Sequence, residues 1–489
     1  MSIETPALVP VETLVISRKV TRADKKATPF LEVPFNVPDG TTRLEVTLDY
    51  GKTDDCVLDL GILDSSATDF PTCTGFRGWS GGARRTFFVA KDDATPGYYP
   101  GPMPGGTWKI LIGLYKVPQG GVDLALSLSA DTAPRPTYAA AKDSAALRDV
   151  PGWYRGDLHC HTYHSDAKGA PATLAENARR IGLDFLAVTD HNTTSQWRYF
   201  GPASTAELVF VPGMEVTTYR GHANIFGLSE WIDFRLAGSH DLEALTTEAR
   251  KQGALISVNH DKEPLPWDYD YPAMDCMEVY HGHWLTGNDH VLRTYDRLLG
   301  EGRRMSLIGG SDYHQPEALA PPSPFGLGRS TTVLWLSHLD ANSVIAGLRS
   351  GHGYVTESPT GPHLSFAAEG HPMGSKLYID GNLVIDFEVK GAAGDRLVWV
   401  SEAGVIGDDM IPSENWRGSY EMKAPEKFLR AEIVAEKSQN RLINEILDWY
   451  QGSDKVQRAQ QSLTNPPPIR RALSNPVYFN KPFPNRTHP

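Results

Sequence analysis

Leu44, Val46, Leu48 and Tyr50 alternate with polar residues, and Val122, Leu124, Leu126 and Leu128 do the same. Side chains two apart on a strand share a face, so each run predicts a half-buried strand. Thr86–Ala90 and Trp108–Leu114, compact apolar runs between turn clusters, predict two more. Residues 1–132 therefore read as an all-β, sandwich-like accessory domain. The loop from Pro96 to Gly106 is too rich in proline and glycine for a strand but carries Tyr98 and Tyr99. Its pattern leaves two readings open, a lid or substrate wall and a rigid connecting loop. Residues 133–153, with Pro134-Arg135-Pro136 and an alanine-rich stretch, read as a linker.

From residue 154 to 357 the rhythm changes. Leu174, Ala175, Ala178 and Ile181 share a helical face, and Asp184–Val188 fits the strand that follows. Strands recur at Leu208–Val211, Ala223–Phe226, Leu255–Val258, Met277–Tyr280, Met305–Ile308 and Thr331–Leu336. Helices recur around Leu242–Lys251, Val291–Leu299 and Ala341–Leu348. This is an α/β pattern with a mainly parallel sheet, and at this length it predicts closure into a barrel. Residues 358–489 return to β: Leu383–Val389, Leu397–Val400 and Phe428–Val434 read as strands, and Gln439–Tyr450 as a helix. The segment from Pro466 to Pro489 reads as an extended arm without a repeating element.

Length agrees with this three-part division, since 489 residues at roughly 150 per domain give about three. A net charge of −12 and the absence of a basic, aromatic-interleaved stretch argue against polymeric nucleic acid or an anionic membrane as partner. No segment approaches ~18 uninterrupted apolar residues, and the first residues lack a leader pattern, so no membrane association and a cytoplasmic location are expected. Four cysteines without paired spacing fit a reducing compartment. A homo-oligomer is compatible with the chain.

Candidate chemistry sits at the strand ends. His159-Cys160-His161 closes the first strand, with Asp166 just beyond; on strand geometry the two imidazoles share a face and Cys160 points away as a small buried residue. Thr189-Asp190-His191, Gly213-Met214-Glu215, His222, Asn259-His260 and Ser311-Asp312-Tyr313-His314 follow at later strand ends. In a β/α barrel such ends converge on one mouth. The nine donors His159, His161, Asp166, His191, Glu215, His222, His260, Asp312 and His314 exceed the coordination of one ion, so two or three divalent metals are implied, with Glu215 able to bridge. Three carboxylates against three dications leave about +3, which attracts an anionic ester.

At these residues the chain resembles the polymerase and histidinol phosphatase (PHP) family of metal-dependent phosphoesterases. The resemblance covers residues 154–357 and implies a distorted (β/α)7 barrel with two or three zinc, manganese or iron ions. Position by position, it implies that His159, His161, Glu215 and Asp312 hold one ion, that Glu215, His222 and His260 hold a second, and that Asp166, His191 and His314 hold a third. Asp166, the fifth residue after His161, is as in the phosphodiesterase-like branch. The N-terminal sandwich and β-rich tail also look like a longer branch containing carbamate and ester hydrolases.

The expected function is hydrolysis of a small organic phosphodiester by a metal-bridging hydroxide, with a carbamate or carboxylic-ester hydrolase as the alternative. Glu215, Asp312 and His191 carry the catalytic assignment. Asp190 is expected to orient an imidazole, with proton donation as its other reading. Substrate contacts fall on Lys262, Arg198, Arg220, His281 and His283, with Arg329 a further cation near the same loops and Lys262 foremost because it follows His260 by two. The second His-x-His also admits an ordinary loop reading. Trp197, Trp267, Tyr271, Trp284 and Tyr313 suggest an aromatic-walled pocket, and equally a core.

Overall fold

The computed structural model describes residues 13–72, 74–138, 148–272, 274–318, 323–379, 381–451, 463 and 466–480. Cys73, the middle of the expected linker at 139–147 and the end of the arm at 481–489 lie outside the described residues.

The alternating runs near the N-terminus become strands that lie side by side. Arg43–Tyr50 pairs antiparallel with Val122–Asp131 in the register Val46 to Leu128, Leu48 to Leu126 and Tyr50 to Leu124. Both apolar faces therefore point the same way. They belong to a four-stranded sheet with Thr13–Val20 and Thr86–Ala90, and a second sheet holds Phe30–Val37, Gly106–Lys116, Val57–Leu63 and Phe76–Gly81. Between the sheets lies a core that includes Val46, Leu126, Trp108 and Tyr98, all fully buried. Burying each such side chain contributes about 1.5–3 kcal/mol.

Seven strands carry the candidate site: β1 (Gly152–Cys160), β2 (Phe185–Val188), β3 (Val209–Thr218), β4 (Gly221–Phe226), β5 (Leu255–Val258), β6 (Cys276–His281) and β7 (Ser306–Gly310). They hydrogen-bond in that order. Just past β7 the chain returns to β1: Asp312 N donates to His159 O at 2.8 Å, and His161 N donates to Tyr313 O at 3.0 Å. The two ends of the run are thereby stitched at the rim.

Strict β/α alternation does not hold. Pairing is parallel from β1 to β3 and from β5 to β7, but β4 is antiparallel to both neighbours. Only Tyr219 and Arg220 separate β3 from β4, too few residues for a helix, and Gly221 takes φ +139° at the turn. Among the described residues no helix joins β5 to β6. The longer helices of this region are α1 (Pro171–Ile181), α2 (Ser239–Lys251), α3 (Asn288–Gly300) and α4 (Ala341–Ser350), close to their expected places.

The proline-rich end is not a bare arm. Arg470–Ser474 pairs with Gly353–Thr356 and with Phe428–Val434, and Val477–Asn480 runs parallel to Lys376–Tyr378. Backbone pairing to segments far away in sequence overrides the local composition. The sandwich and the seven-strand region also share a core, with Phe76 stacked on Trp231 at 3.8 Å and Trp79 against Phe234 at 4.8 Å. Tyr98 turns into the sandwich, while the Tyr99 hydroxyl accepts from Thr194 N at 2.6 Å, so the Pro96–Gly106 loop is packed connecting structure. No described helix is long and apolar enough to cross a membrane.

Candidate metal centre

The parity of β1 sends His159 inward and Cys160 outward. Cys160 Sγ donates to Ala187 O at 3.4 Å and lies among Leu174, Leu186 and Val188. On the β3–β4 hairpin Glu215 pairs with Asn224 and Thr217 with His222, so Glu215 and His222 are diagonal neighbours on one face. Their side chains meet, His222 Nδ1 to Glu215 Oε1, at 3.2 Å.

Glu215 is the hub. It is fully buried, and its oxygens lie 3.4 Å from His159, 3.6 Å from His161, 2.6 Å from His191, 3.2 Å from His222 and 3.5 Å from His260. Asn259 Nδ2 donates to it at 2.9 Å. Asp312 Oδ1 lies 3.0 Å from His161 and 3.4 Å from His159. Asp166 Oδ1 sits 3.4 Å from His191 and 3.1 Å from His314. All nine donors named from the sequence thus converge.

Four sets of three or four donors come within 4.8 Å of one another: His159 with His161 and Asp312; Glu215 with His222 and His260; His161 with Asp166, His191 and His314; and His159 with His260, Glu278 and His281. Nε2 of His159 and both ring nitrogens of His161 and His281 are buried without a hydrogen-bond partner. Burying such nitrogens unpaired costs free energy that coordination would recover. The donor set therefore fits divalent ions. His260 and Asp312 also adopt positive φ, +25° and +53°. Such backbone costs on the order of 1–3 kcal/mol per residue and collects at functional sites.

Charge is balanced internally. Burial opposes ionisation of Glu215 and Asp312, yet the surrounding imidazoles hold both carboxyls well below their usual range. Burial disfavours protonated His161, as do His191 and His314, and its pKa falls to about 3.

Glu278 went unrecognised in the sequence. It stands mid-strand in β6 between Met277 and Val279, and its Oε1 takes His159 Nδ1 at 2.9 Å while Oε2 accepts His260 N at 3.1 Å. A lone charge in an apolar strand needs a buried partner, and that was the available signal. Counting Glu278 lowers the expected excess charge to about +2. Glu278→Gln is expected to weaken metal binding or turnover about 10–100-fold, the range for groups that orient a ligand, checked by titrating metal into depleted protein. Gly310 lets these groups approach: a Cβ there would lie 2.4 Å from His159 Cβ and 2.7 Å from Glu278 Oε1. Gly310→Ala is expected to lower bound metal and turnover together, whereas Gly300→Ala, with nothing within 4 Å, is expected to change neither.

Several other assignments meet different partners. Asp190 accepts from Thr162 N at 2.8 Å, Thr162 Oγ1 at 2.7 Å and Ser165 Oγ at 2.6 Å, so it holds the loop after β1 and not an imidazole. Lys262 Nζ donates to Asn288 Oδ1 at 2.7 Å, Thr286 Oγ1 at 3.0 Å and His281 O at 3.2 Å, which uses all three of its donors. Arg220 pairs with Asp268 at 3.1 Å on the surface. His283 accepts from Leu285 N and faces Glu445 on the helix Gln439–Tyr450, and Arg329 is hydrogen-bonded to the same Glu445. His281 instead lies among the donors, 3.4 Å from Asp312. Arg198 stands over the Tyr199 ring at 5.1 Å with Nε unpaired. Trp267, Trp284 and Tyr313 are buried in apolar clusters, while Trp197 donates to Gly213 O and Tyr271 to Asp261; these five therefore serve packing and loop closure more than a pocket wall.

The class to which this donor set and its motif order point is the PHP-like metal-dependent phosphoesterases. No family model matches the chain. It is 33% identical over 152 residues to the 5′-3′ exoribonuclease Rnm of Salmonella typhimurium, covering 29% of this chain and 50% of that protein. It is 34% identical over 119 residues to the Escherichia coli protein of the same name, covering 22% and 39%. The chain thus spans half the length, or less, of these curated relatives. Among solved structures, a Bacteroides vulgatus two-domain protein described as containing a predicted PHP-like metal-dependent phosphoesterase aligns over 61% of this chain and 95% of that one, at 17% identity and a TM-score of 0.35.

Proposed function

We propose that the chain is a metal-dependent hydrolase that cleaves organic phosphodiesters at the mouth of a distorted PHP-type barrel, residues 154–357, flanked by accessory domains. The observation that carries this reading is Glu215, a buried carboxylate within 3.6 Å of five imidazoles. In the proposed assignment His159, His161, Glu215 and Asp312 hold one ion, Glu215, His222 and His260 a second, and Asp166, His191 and His314 a third. Bound divalent ions would acidify a water and offset charge on the phosphoryl oxygens. The chain's own residues fix that arrangement: Glu278 sets the His159 ring, Asn259 the Glu215 carboxylate, and Asp157 the ends of β1 and β7 through His159 N and Ser311 N, both at 3.0 Å. Burial, with Lys262 beside it, lowers His281 to about 4, so at neutral pH its ring is uncharged and suits a ligand better than a proton donor. Of the cations named from the sequence, Arg198 and Arg329 both retain unpaired N–H groups, but Arg329 is already bound to Glu445, so Arg198 is the proposed substrate contact.

A second reading is an RNA strand as the diester, favoured by the nuclease name of the Salmonella relative and set against the acidic charge of this chain. The carbamate alternative rests on the accessory β domains alone. Full-length protein loaded with Mn²⁺, Zn²⁺ or Fe²⁺ is to be assayed on bis(p-nitrophenyl) phosphate, p-nitrophenyl phosphate, an aryl carbamate and a short RNA. Diester turnover at least tenfold above monoester and carbamate is expected. Carbamate turnover exceeding both phosphates would overturn the proposal, and turnover of RNA alone would move it to the second reading.

A further inference from the structure

We infer that Arg84, in the N-terminal sandwich, is a positioning residue for the ion site formed by Asp166, His191 and His314, so that the accessory domain is part of the metal centre. The inference rests on the metal-dependent reading above. Asp166 is the outlying donor of the nine: its side chain is half exposed, and it lies on the loop between β1 and α1, further past a strand end than any other donor. What fixes that loop decides whether its carboxylate faces the two imidazoles.

The loop is gripped from two sides. From the seven-strand region, Asp190 takes the amides of Thr162 and Ser165 at 2.8 and 3.1 Å. From the sandwich, Arg84 Nη1 donates to Ser165 O at 2.9 Å and Nη2 donates to Tyr163 O. Amides and carbonyls of one short segment are thus held by a carboxylate and a guanidinium. The planar fork of arginine reaches two carbonyls two residues apart, which the single ammonium of lysine does not reproduce.

A second sandwich contact joins the same loop. Gly97 N donates to His164 Nδ1 at 3.3 Å and to Ser195 Oγ at 3.1 Å, and Thr193 Oγ1 donates to Gly97 O at 3.0 Å. A Cβ on Gly97 would lie 2.7 Å from His164 O, so the two parts meet backbone to backbone. Without Arg84 the carbonyls on either side of His164 lose their donor, and Ser165, the residue before Asp166, is released on one face.

The test is equilibrium dialysis of full-length wild type, Arg84→Ala and Arg84→Lys against graded Zn²⁺ and, separately, Mn²⁺, with metal read by elemental analysis and folding by thermal unfolding of the metal-depleted proteins. The expected result is one equivalent bound at least tenfold more weakly in Arg84→Ala, the others at wild-type affinity, and an intermediate loss in Arg84→Lys. Wild-type affinity for every equivalent in Arg84→Ala would overturn the inference, as would equal weakening of all equivalents. If Arg84→Ala does not fold, wild-type affinity throughout in Arg84→Lys overturns it. Wild type binding no metal would instead overturn the metal-dependent reading itself.

Discussion

Replacing Glu215 with glutamine will remove at least one metal equivalent and lower turnover by about 10³-fold or more. Its carboxylate is shared by five imidazoles drawn from β1, β4 and the loops after β1, β2 and β5, so no neighbouring side chain can take its place. A glutamine keeps the shape but supplies no charge and only one oxygen. Metal stabilisation of a phosphoryl transition state is worth several kcal/mol, and each 1.36 kcal/mol is tenfold in rate. The check is elemental analysis alongside single-turnover kinetics on an aryl diester. Full metal content with wild-type turnover would remove Glu215 from the centre.

Metal loading at Asp166, His191 and His314 is expected to be steeply pH-dependent. In the metal-free protein burial works against charged imidazoles, but Asp166 and Glu215 beside His191 outweigh it and raise that ring to about 9. Asp312 and Asp166 do the same for His314, to about 10. Both rings therefore carry a proton at pH 7 that an incoming ion must displace. Metal binding releases those protons, so the site's apparent affinity should rise about 100-fold per pH unit below pH 9 and the ion should be lost first on acidification. His161, held to about 3, contributes no proton. Calorimetric titration in buffers of different ionisation enthalpy measures the count: about two protons for this equivalent is expected, and none would contradict it.

The convergence of these donors is legible because strand ends announce themselves. Most of these His, Asp and Glu residues stand at or just past the end of a short apolar run, with His222 just before one, and the fold needs only to bring those ends to one rim, which the contacts of His159 and His161 with Asp312 and Tyr313 accomplish. The partners of the cations are not legible. Lys262 is spent on Asn288, Arg220 on Asp268, and Arg329 and His283 meet Glu445, partners set by tertiary folding that no local pattern displays.

The same limit separates the strands that were found from those that were not. Phe428–Val434 is fully buried over most of its length and reads as apolar, whereas Asn415–Lys423 mixes Trp416, Tyr420 and Met422 with charged residues and is interrupted by Gly418. That glycine makes room for Phe387, whose ring packs 4.8 Å from Trp416 and 5.0 Å from Tyr420; a Cβ there would meet it at 2.7 Å. The β3–β4 hairpin was hidden for a related reason, since Val209–Thr218 runs past its apolar start through Glu215 into threonines. That extension is what carries Glu215 and His222 into register.

The most direct measurement is anomalous diffraction from crystals of the metal-loaded, full-length protein at the absorption edge of whichever metal elemental analysis finds. Peaks between Glu215 and Asp312, and between Glu215, His222 and His260, with a further peak at Asp166, His191 and His314, are the predicted result. A fully active protein whose anomalous density shows no ion among these side chains would contradict the account.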